Sequence, residues 1–273
     1  MRNSRRCTSR RAASSTKPAI AETTLETLLR RDRAVVLGAL AALALLCWAY
    51  LVSLAATPAM AGMSAMAAHW SPADALATLA MWSVMMVGMM TPSVAPMILI
   101  YARVGRQAAG RGTPFASAGW FALGYFLAWT GFAVAATALQ WGLERALLVS
   151  PMVAAATPLF GGFLLIAAGV YQWTPLKNAC LSQCQSPLQF IQRNGGFRGE
   201  RRASVALGAR HGAYCIGCCW ALMLLLFVGG VMNLLWIAAI GGLVLAEKLI
   251  PGRLFQRAVG IALAAAGALL LIY

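Results

Sequence analysis

The stretch from Ala75 to Tyr101 reads ALATLAMWSVMMVGMMTPSVAPMILIY and contains no charged residue. A helix that crosses a hydrocarbon core of about 30 Å needs about 20 apolar residues in succession, so this stretch is long enough to span a bilayer. Six further stretches are also predominantly apolar, although one of them is short. They are Ala34–Ala56, Ala116–Trp141, Val153–Trp173, Gly212–Val231, Leu234–Leu249 and Leu254–Ile272. The sequence therefore predicts an all-α protein, a polytopic bundle of about seven transmembrane helices.

The composition agrees with a membrane protein. Of the 273 residues, 61% are apolar and 11% are charged, whereas a soluble domain has about a quarter of its residues charged. The net charge of +15 raises the question of a nucleic-acid partner, but the basic residues lie in short segments between apolar runs, without a basic face. Basic segments beside apolar spans fit anionic lipid headgroups. We therefore expect the lipid bilayer, and no nucleic acid, as a partner.

The distribution of basic residues predicts the orientation. With seven spans, all Lys and Arg residues except Arg145 fall on one side of the membrane. Cytoplasmic segments carry such an excess, so we expect the N-terminus inside and Tyr273 outside. Residues 1–33, which are rich in Arg and Ser, are predicted to be a disordered cytoplasmic tail, and residues 34–273 a transmembrane domain. The segment Lys177–Arg210 is predicted to be the one long loop between spans, also in the cytoplasm.

Cysteine and histidine residues form two groups beside the fourth and fifth predicted spans. These candidate metal ligands are Cys180, Cys184, His211, Cys215, Cys218 and Cys219. At about 100° per residue, the side chains from His211 onward share one face of a helix, with Cys219 at its margin. Cys180 and Cys184 are one helical turn apart. The predicted topology brings both groups to the same membrane surface, where they are free to meet.

Three interpretations of these residues stay open. Cysteines behave as small hydrophobes and pack well between membrane helices. Thiolates with an imidazole also make a soft-metal site for Cu(I) or zinc. Finally, Cys215 and Cys218 have the C-x-x-C spacing of dithiol redox catalysts, for which Cys180 and Cys184 would supply a resolving pair.

The second predicted span carries a ridge of methionines at helical spacing. Its candidate ligands are Met85, Met86, Met89 and Met90. Such a ridge is typical of adaptable packing, but thioethers also prefer Cu(I) and would exclude harder ions. Pro92 and Pro96 follow the ridge and free backbone carbonyls, which membrane helices tolerate where a cavity or a neighbour satisfies them.

Two adjacent charged residues, Glu247 and Lys248, lie near the end of the sixth predicted span. A carboxylate inside a membrane is a functional candidate by default. One possibility is that the pair contacts the metal ligands without binding the metal itself. The other is that the two charges neutralise each other, or that the side chains extend to the membrane interface.

Several motifs together are similar to those of a known family. They are MMVGMMTPSVAPM from Met85, YQWTPLKNACLSQC from Tyr171, GARHG from Gly208, VMN from Val231 and AEK from Ala246. Over about Ala75 to Pro251, the chain resembles the bacterial family of predicted metal-binding integral membrane proteins. The resemblance implies a multi-pass protein of the bacterial inner membrane that binds metal, with copper favoured by copper-linked members.

The leading prediction is therefore an inner-membrane protein that binds a soft metal, Cu(I) in preference to zinc, in copper handling or delivery. The cysteines and His211 would form a site on the cytoplasmic side, and a metallochaperone or a membrane complex would be the partner. No phosphate-binding loop of the G-x-x-x-x-G-K type is present. Two alternatives stay open: a membrane oxidoreductase, either dithiol–quinone or copper-dependent, and a structural or assembly subunit whose sulfurs only pack.

Overall fold

The structure is a computed structural model that describes residues 19–56, 70–112, 116–149, 155, 157–197 and 199–272. Within these residues the regular structure is helical, apart from an isolated bridge between Val149 and Ala155. The helices are α1 (Ala19–Ala56), α2 (Pro72–Gly110), α3 (Ala118–Arg145), α4 (Pro158–Tyr171), α5 (Pro175–Gln185), α6 (Pro187–Arg193), α7 (Arg201–Leu224), α8 (Leu226–Gly229), α9 (Leu234–Leu249) and α10 (Arg253–Ile272). The all-α prediction is confirmed for the described part of the chain.

Five helical segments of the described chain are long and apolar enough to cross a membrane. They are Arg33–Ala56 within α1, α2, α3, Arg201–Gly229 (which α7 and α8 form together) and α10. The pair of α4 and α5 makes a sixth if it is one bent span. α9 begins and ends where the sequence predicts, but it has only 16 residues. The predicted count of seven therefore requires α9 to cross as well.

A sharp bend follows the fourth predicted span. The axes of α4 and α5 differ by 67°. Thr174 caps α5, with its side chain accepting from the backbone N–H of Lys177 at 3.3 Å, and Pro175 takes the first helical position. Proline has no N–H and disfavours the helical conformation in the residue before it. A single helix therefore does not continue through this point.

The segment Lys177–Arg210, predicted as a long loop, is mostly helical, and that prediction is wrong. It contains most of α5, all of α6 and the start of α7. Leu181, Phe190 and Ile191 are buried at 0–1% exposure. Each short helix therefore buries one apolar face although its composition is polar, which is the usual pattern of an amphipathic helix.

The chain divides into two units, Met1–Val36 and Leu37–Tyr273. In the first unit the described residues belong to α1, which begins at Ala19. Residues 19–33 of the predicted tail belong to this helix. The sequence AIAETTLETLLRRDR in this part contains neither Gly nor Pro and is rich in good helix formers. Residues 1–18 of the predicted tail lie outside the described residues.

Two close helix packings position the interior of the second unit. α3 and α7 approach at Gly124 and Gly208, where an added Cβ would lie 2.0 Å from a carbonyl oxygen of the other helix. α4 and α10 approach in the same way at Gly169 and Gly260, where a Cβ would lie 2.7 Å and 2.9 Å from backbone oxygen. Small residues allow membrane helices to pack backbone against backbone. The first crossing places α3 side chains directly against the cysteine face of α7.

Candidate metal centre

Cys215 of α7 is buried and lies at the centre of a polar cluster to which five helices contribute. Cys218 and Cys219 follow it on α7, and Cys184 comes from α5. We call these four residues the thiol cluster. The polar residues around it are Tyr125 from α3, Ser93 from α2 and Lys248 from α9. Residues far apart in the sequence therefore meet at one sulfur atom.

The sulfur of Cys215 accepts a hydrogen bond from a cation. Lys248 Nζ lies 2.8 Å from Cys215 Sγ and 2.9 Å from Ser93 Oγ. The hydroxyl of Tyr125 lies 3.0 Å from the same sulfur, and either atom is able to donate. Since an ammonium group has donors and no acceptor, Cys215 is the acceptor of the Lys248 bond. Hydrogen bonds with an ionised partner are stronger than neutral ones.

The two predicted groups of cysteines meet in the structure. Cys184 lies close enough to both Cys215 and Cys218 to interact with them electrostatically. Cys180, one turn earlier on α5, lies with its Sγ 2.7 Å from the position of an added Cβ on Gly217. Placement of α5 by the bend after α4 therefore brings the earlier thiols against α7.

Two of the thiols form hydrogen bonds to the backbone of their own helix. Cys218 Sγ and Cys219 Sγ donate to the carbonyl oxygen of Cys215 at 3.1 Å and 3.0 Å. The described cysteines are free thiols. Among the described residues, no group of three or more His, Cys, Asp or Glu side chains is arranged to hold a metal ion. The sulfur ligands are of the type that soft metals prefer. They do not converge on one point in this structure, because two of them face the backbone of their own helix.

His211 lies one turn before Cys215 on α7 and is 3% exposed. Its ring centroid is 5.9 Å, 5.8 Å and 4.9 Å from those of Phe121, Tyr125 and Phe190. In the described structure its Nδ1 is buried without a hydrogen-bond partner. Buried nitrogens without a partner are rare, and an imidazole nitrogen of this kind is available as a ligand.

The methionines of the predicted ridge are buried, at 0–4% exposure. They are Met85, Met86, Met89 and Met90. Ser93 Oγ, which accepts from Lys248, lies 3.9 Å from the Sδ of Met90. Met89 packs on α9, where its Cε would be 3.5 Å from a Cβ on Gly241. The ridge thus reaches the polar cluster at Met90, and no described contact places Met85 or Met86 beside a thiol.

Glu247 and Lys248 point to different partners. Glu247 Oε2 accepts from Lys177 Nζ at 2.6 Å, and the two side chains are 1% and 0% exposed. Lys248 turns instead to Ser93 and Cys215. Successive residues on a helix point about 100° apart, so the idea that these neighbours neutralise each other is wrong. Lys248 contacts the thiol cluster directly, whereas Glu247 forms a separate ion pair.

Three polar residues, two at the cluster and one in the neighbouring ion pair, were not among the candidates of the sequence analysis. Lys177 is three residues before Cys180 and seven before Cys184, so a lysine shares their helix face, and this spacing was a usable signal. Tyr125 and Ser93 lie inside apolar spans and meet Cys215 only through tertiary packing. No local pattern in the sequence marks them.

Comparison with curated proteins gives no match, and comparison with solved structures gives none. A family model described as PpoB2, copper chaperone, matches residues 79–270. The expectation of a metal-related family is thereby confirmed, and the match extends past the predicted end near Pro251 to include most of α10. The matched range contains the whole thiol cluster, His211 and Lys248, and covers more than half of the sequence. The chain belongs to the PpoB2 copper chaperone family.

Proposed function

We propose that this chain holds Cu(I) as cargo on the thiolates of Cys184, Cys215 and Cys218, within a multi-pass membrane domain. Membership of a copper chaperone family supports copper handling in a general sense. Thiolate ligands select Cu(I) on the grounds of softness. The family gives no support for zinc.

The observation that carries the proposal is the meeting of Cys184 with Cys215 and Cys218. A C-x-x-C pair on one helix offers two sulfurs, and the third comes from a different element. Two or three thiolates suffice for a low-coordinate soft ion such as Cu(I). Cu(I) binding would replace the hydrogen bond that the Cys218 thiol now donates to the carbonyl oxygen of Cys215, and the thiols would lose their protons.

The other predicted ligands surround this core. Cys180, Cys219 and His211 each lie within about one helical turn of a core cysteine, and we propose that they take part in receiving or releasing the ion. The methionine ridge of Met85, Met86, Met89 and Met90 would hold or pass Cu(I) towards Ser93 and the cluster. Exchange between neighbouring soft ligands moves an ion without leaving it free.

Membrane location and partner complete the proposal. The segments long and apolar enough to cross a bilayer support an integral protein, and we place it in the bacterial inner membrane. We also propose seven spans with the N-terminus in the cytoplasm, because only this count puts the basic segments on one side. A metallochaperone or a membrane complex would exchange copper with the cluster.

Copper binding by the purified protein tests the proposal. We expect about one tightly bound Cu(I) per chain, with affinity that falls on acidification because protons compete for the thiolates. The variants Cys215→Ser and Cys218→Ser should lose most of the binding. Cys47→Ser is the matched control, because Cys47 is a buried thiol on α1. Equal copper content in the wild type and in the Cys215/Cys218 double variant, both monodisperse in detergent, would overturn the proposed site.

A second candidate function is thiol–disulfide oxidoreduction, which the position of Cys184 beside Cys215 and Cys218 also favours. Oxidation of Cys215 and Cys218 to a disulfide would release two protons and pass two electrons to a quinone. Differential alkylation of rapidly quenched cells separates the two functions. We expect reduced thiols that copper protects and chelation exposes, since the proposed topology places them on the reducing side. A substantial disulfide fraction under aerobic growth would favour the oxidoreductase.

A further inference from the structure

A polar cavity lies at the bend between α4 and α5, where α10 begins. Its volume is about 570 Å³, and its polar lining consists of Gln172, Asn178, Ser182, Arg253, Gln256 and Arg257. None of its lining residues belongs to the thiol cluster. Its chemistry therefore has to be explained separately from the proposed copper site.

The charge of the cavity is of one sign. Arg253 and Arg257 are one turn apart on α10, and no acidic residue lines the cavity. Neither guanidinium forms an ion pair with a carboxylate in the part of the chain that the structure describes. Two exposed arginines side by side repel each other unless an anion lies between or near them.

Two helix ends add to this positive charge. α5 begins at Pro175 and α10 at Arg253, and both of these first residues line the cavity. Neither helix has an acidic residue in its first turn. The N-terminus of a helix carries about half a positive charge on its free N–H groups, which an acidic side chain usually offsets. In α5 and α10 the first turn contains a basic residue instead, so positive charge lies beside the positive end of each helix. An external anion would reduce this repulsion.

A buried amide without partners provides the independent observation. Gln172 lines the cavity and is 2% exposed, yet both its Nε2 and its Oε1 lack a hydrogen-bond partner in the described structure. Leaving two buried polar atoms unsatisfied is costly and rare in folded proteins. A ligand oxygen in the cavity would accept a hydrogen bond from Nε2 of Gln172, and a hydroxyl group of the same ligand would donate one to its Oε1.

We propose that this cavity binds a phosphate group, carried either by an anionic phospholipid headgroup or by free phosphate. Arginine suits phosphate because its planar fork donates in parallel to two oxygens. Trp173, which also lines the cavity, is 46% exposed and donates from Nε1 to the carbonyl of Arg257 at 3.4 Å. Exposed tryptophans of this kind are enriched at the membrane–water interface, where headgroups lie.

The test measures thermal unfolding of the full chain in neutral detergent against three additives. These are mixed micelles containing phosphatidylglycerol, the same micelles with phosphatidylcholine, and inorganic phosphate. We expect stabilisation by phosphatidylglycerol and none by phosphatidylcholine. The variant Arg253→Gln/Arg257→Gln should need roughly tenfold more of the anionic ligand for half of the effect, since each basic residue near an anionic surface contributes to binding. Arg193→Gln/Arg202→Gln is the control with the same change of charge.

The outcomes separate the sources of phosphate. Stabilisation by phosphatidylglycerol alone assigns the cavity to a lipid headgroup, and stabilisation by inorganic phosphate as well assigns it to the phosphate group itself. Gln172→Leu should also weaken the response while leaving the fold intact, because it replaces unsatisfied polar atoms with apolar ones. Equal responses of the two double-arginine variants, or of phosphatidylglycerol and phosphatidylcholine, would overturn the proposal.

Discussion

At the scale of single residues, the charge of Lys248 needs an explanation. Lys177 and Glu247 form a closed ion pair, but the described partners of Lys248 are a hydroxyl and a sulfur. A cation that is partly buried between helices without a negative partner is costly. Cu(I) held by two or three thiolates carries a net negative charge, so the loaded cluster would offset the positive charge of Lys248. The lysine then acts as the counter-ion of the copper–thiolate group rather than as a ligand.

This role predicts the effect of Lys248→Gln. The variant should bind Cu(I) roughly tenfold more weakly or worse, since a hydrogen bond to a charged group contributes more than a neutral one. Lys248→Arg should keep most of the affinity because it keeps the charge. Competition with a chromophoric Cu(I) chelator measures both. Arg202→Gln, an equal change of charge on an exposed residue, serves as the control, and wild-type affinity in Lys248→Gln would contradict the counter-ion role.

The residue scale also shows what the sequence was able to predict. The cysteines and His211 were identified because ligand types and helical spacing are local properties. Tyr125 and Ser93 were not, because contact with Cys215 depends on where α3 and α2 cross α7. The sequence also did not predict which way the Lys248 side chain points. Its neighbour Glu247 suggests an ion pair, and only the packing of the other helices shows that Lys248 has different partners.

At the scale of helices, the α3–α7 crossing places Tyr125 at Cys215. Gly208 and Gly212 are four residues apart on α7 and face α3 at Phe121 and Ala128, where added Cβ atoms would lie 2.0 Å and 2.6 Å from the opposite helix. This G-x-x-x-G pattern is a recognised packing motif of membrane helices. The hydroxyl of Tyr125 reaches Cys215 Sγ at 3.0 Å from this crossing, so the glycines set the geometry of the cluster.

We expect Gly208→Ala to push α3 and α7 apart. Its Cβ would meet the carbonyl oxygen of Phe121 at 2.0 Å, and backbone is unable to yield as a flexible side chain does. Overpacking of this kind costs about 1–3 kcal/mol, so the thermal unfolding midpoint should fall and Cu(I) affinity should fall with it. Gly131→Ala on α3 is the matched control, because nothing lies within 4 Å of its added Cβ. An unchanged midpoint in Gly208→Ala would show that the crossing is looser than described.

Helix boundaries were predicted unevenly, and the reason is physical. α9 follows its apolar run from Leu234 to Leu249, so hydropathy locates both ends. α7 begins at Arg201, well before the apolar run that starts at Gly212, because basic residues continue a helix readily. Hydropathy also failed to locate α5 and α6, because their starts depend on capping residues and proline.

At the scale of the whole molecule, the number of crossings depends on α9. A helix of 16 residues is about 24 Å long, less than the hydrocarbon core of about 30 Å. Bilayers adapt to such a mismatch at a modest cost by thinning locally. If α9 did not cross, Arg253 and Arg257 would lie on the outer side, against the excess of basic residues inside. The charge pattern therefore favours a crossing by a short helix.

Reporter fusions on the two sides of α9 decide this directly. A fusion after Asn233 should report the outside and one after Gly252 the inside, and a fusion after Ile272 the outside again. Alkaline phosphatase is active only outside, and green fluorescent protein matures inside, so paired fusions give opposite signals. Fusions after Arg111 and Leu148, on either side of the 28-residue α3, must switch and act as the control. If Asn233 and Gly252 report the same side, α9 does not cross, the chain has at most six spans, and the arginines of the phosphate cavity face away from the cytoplasmic leaflet.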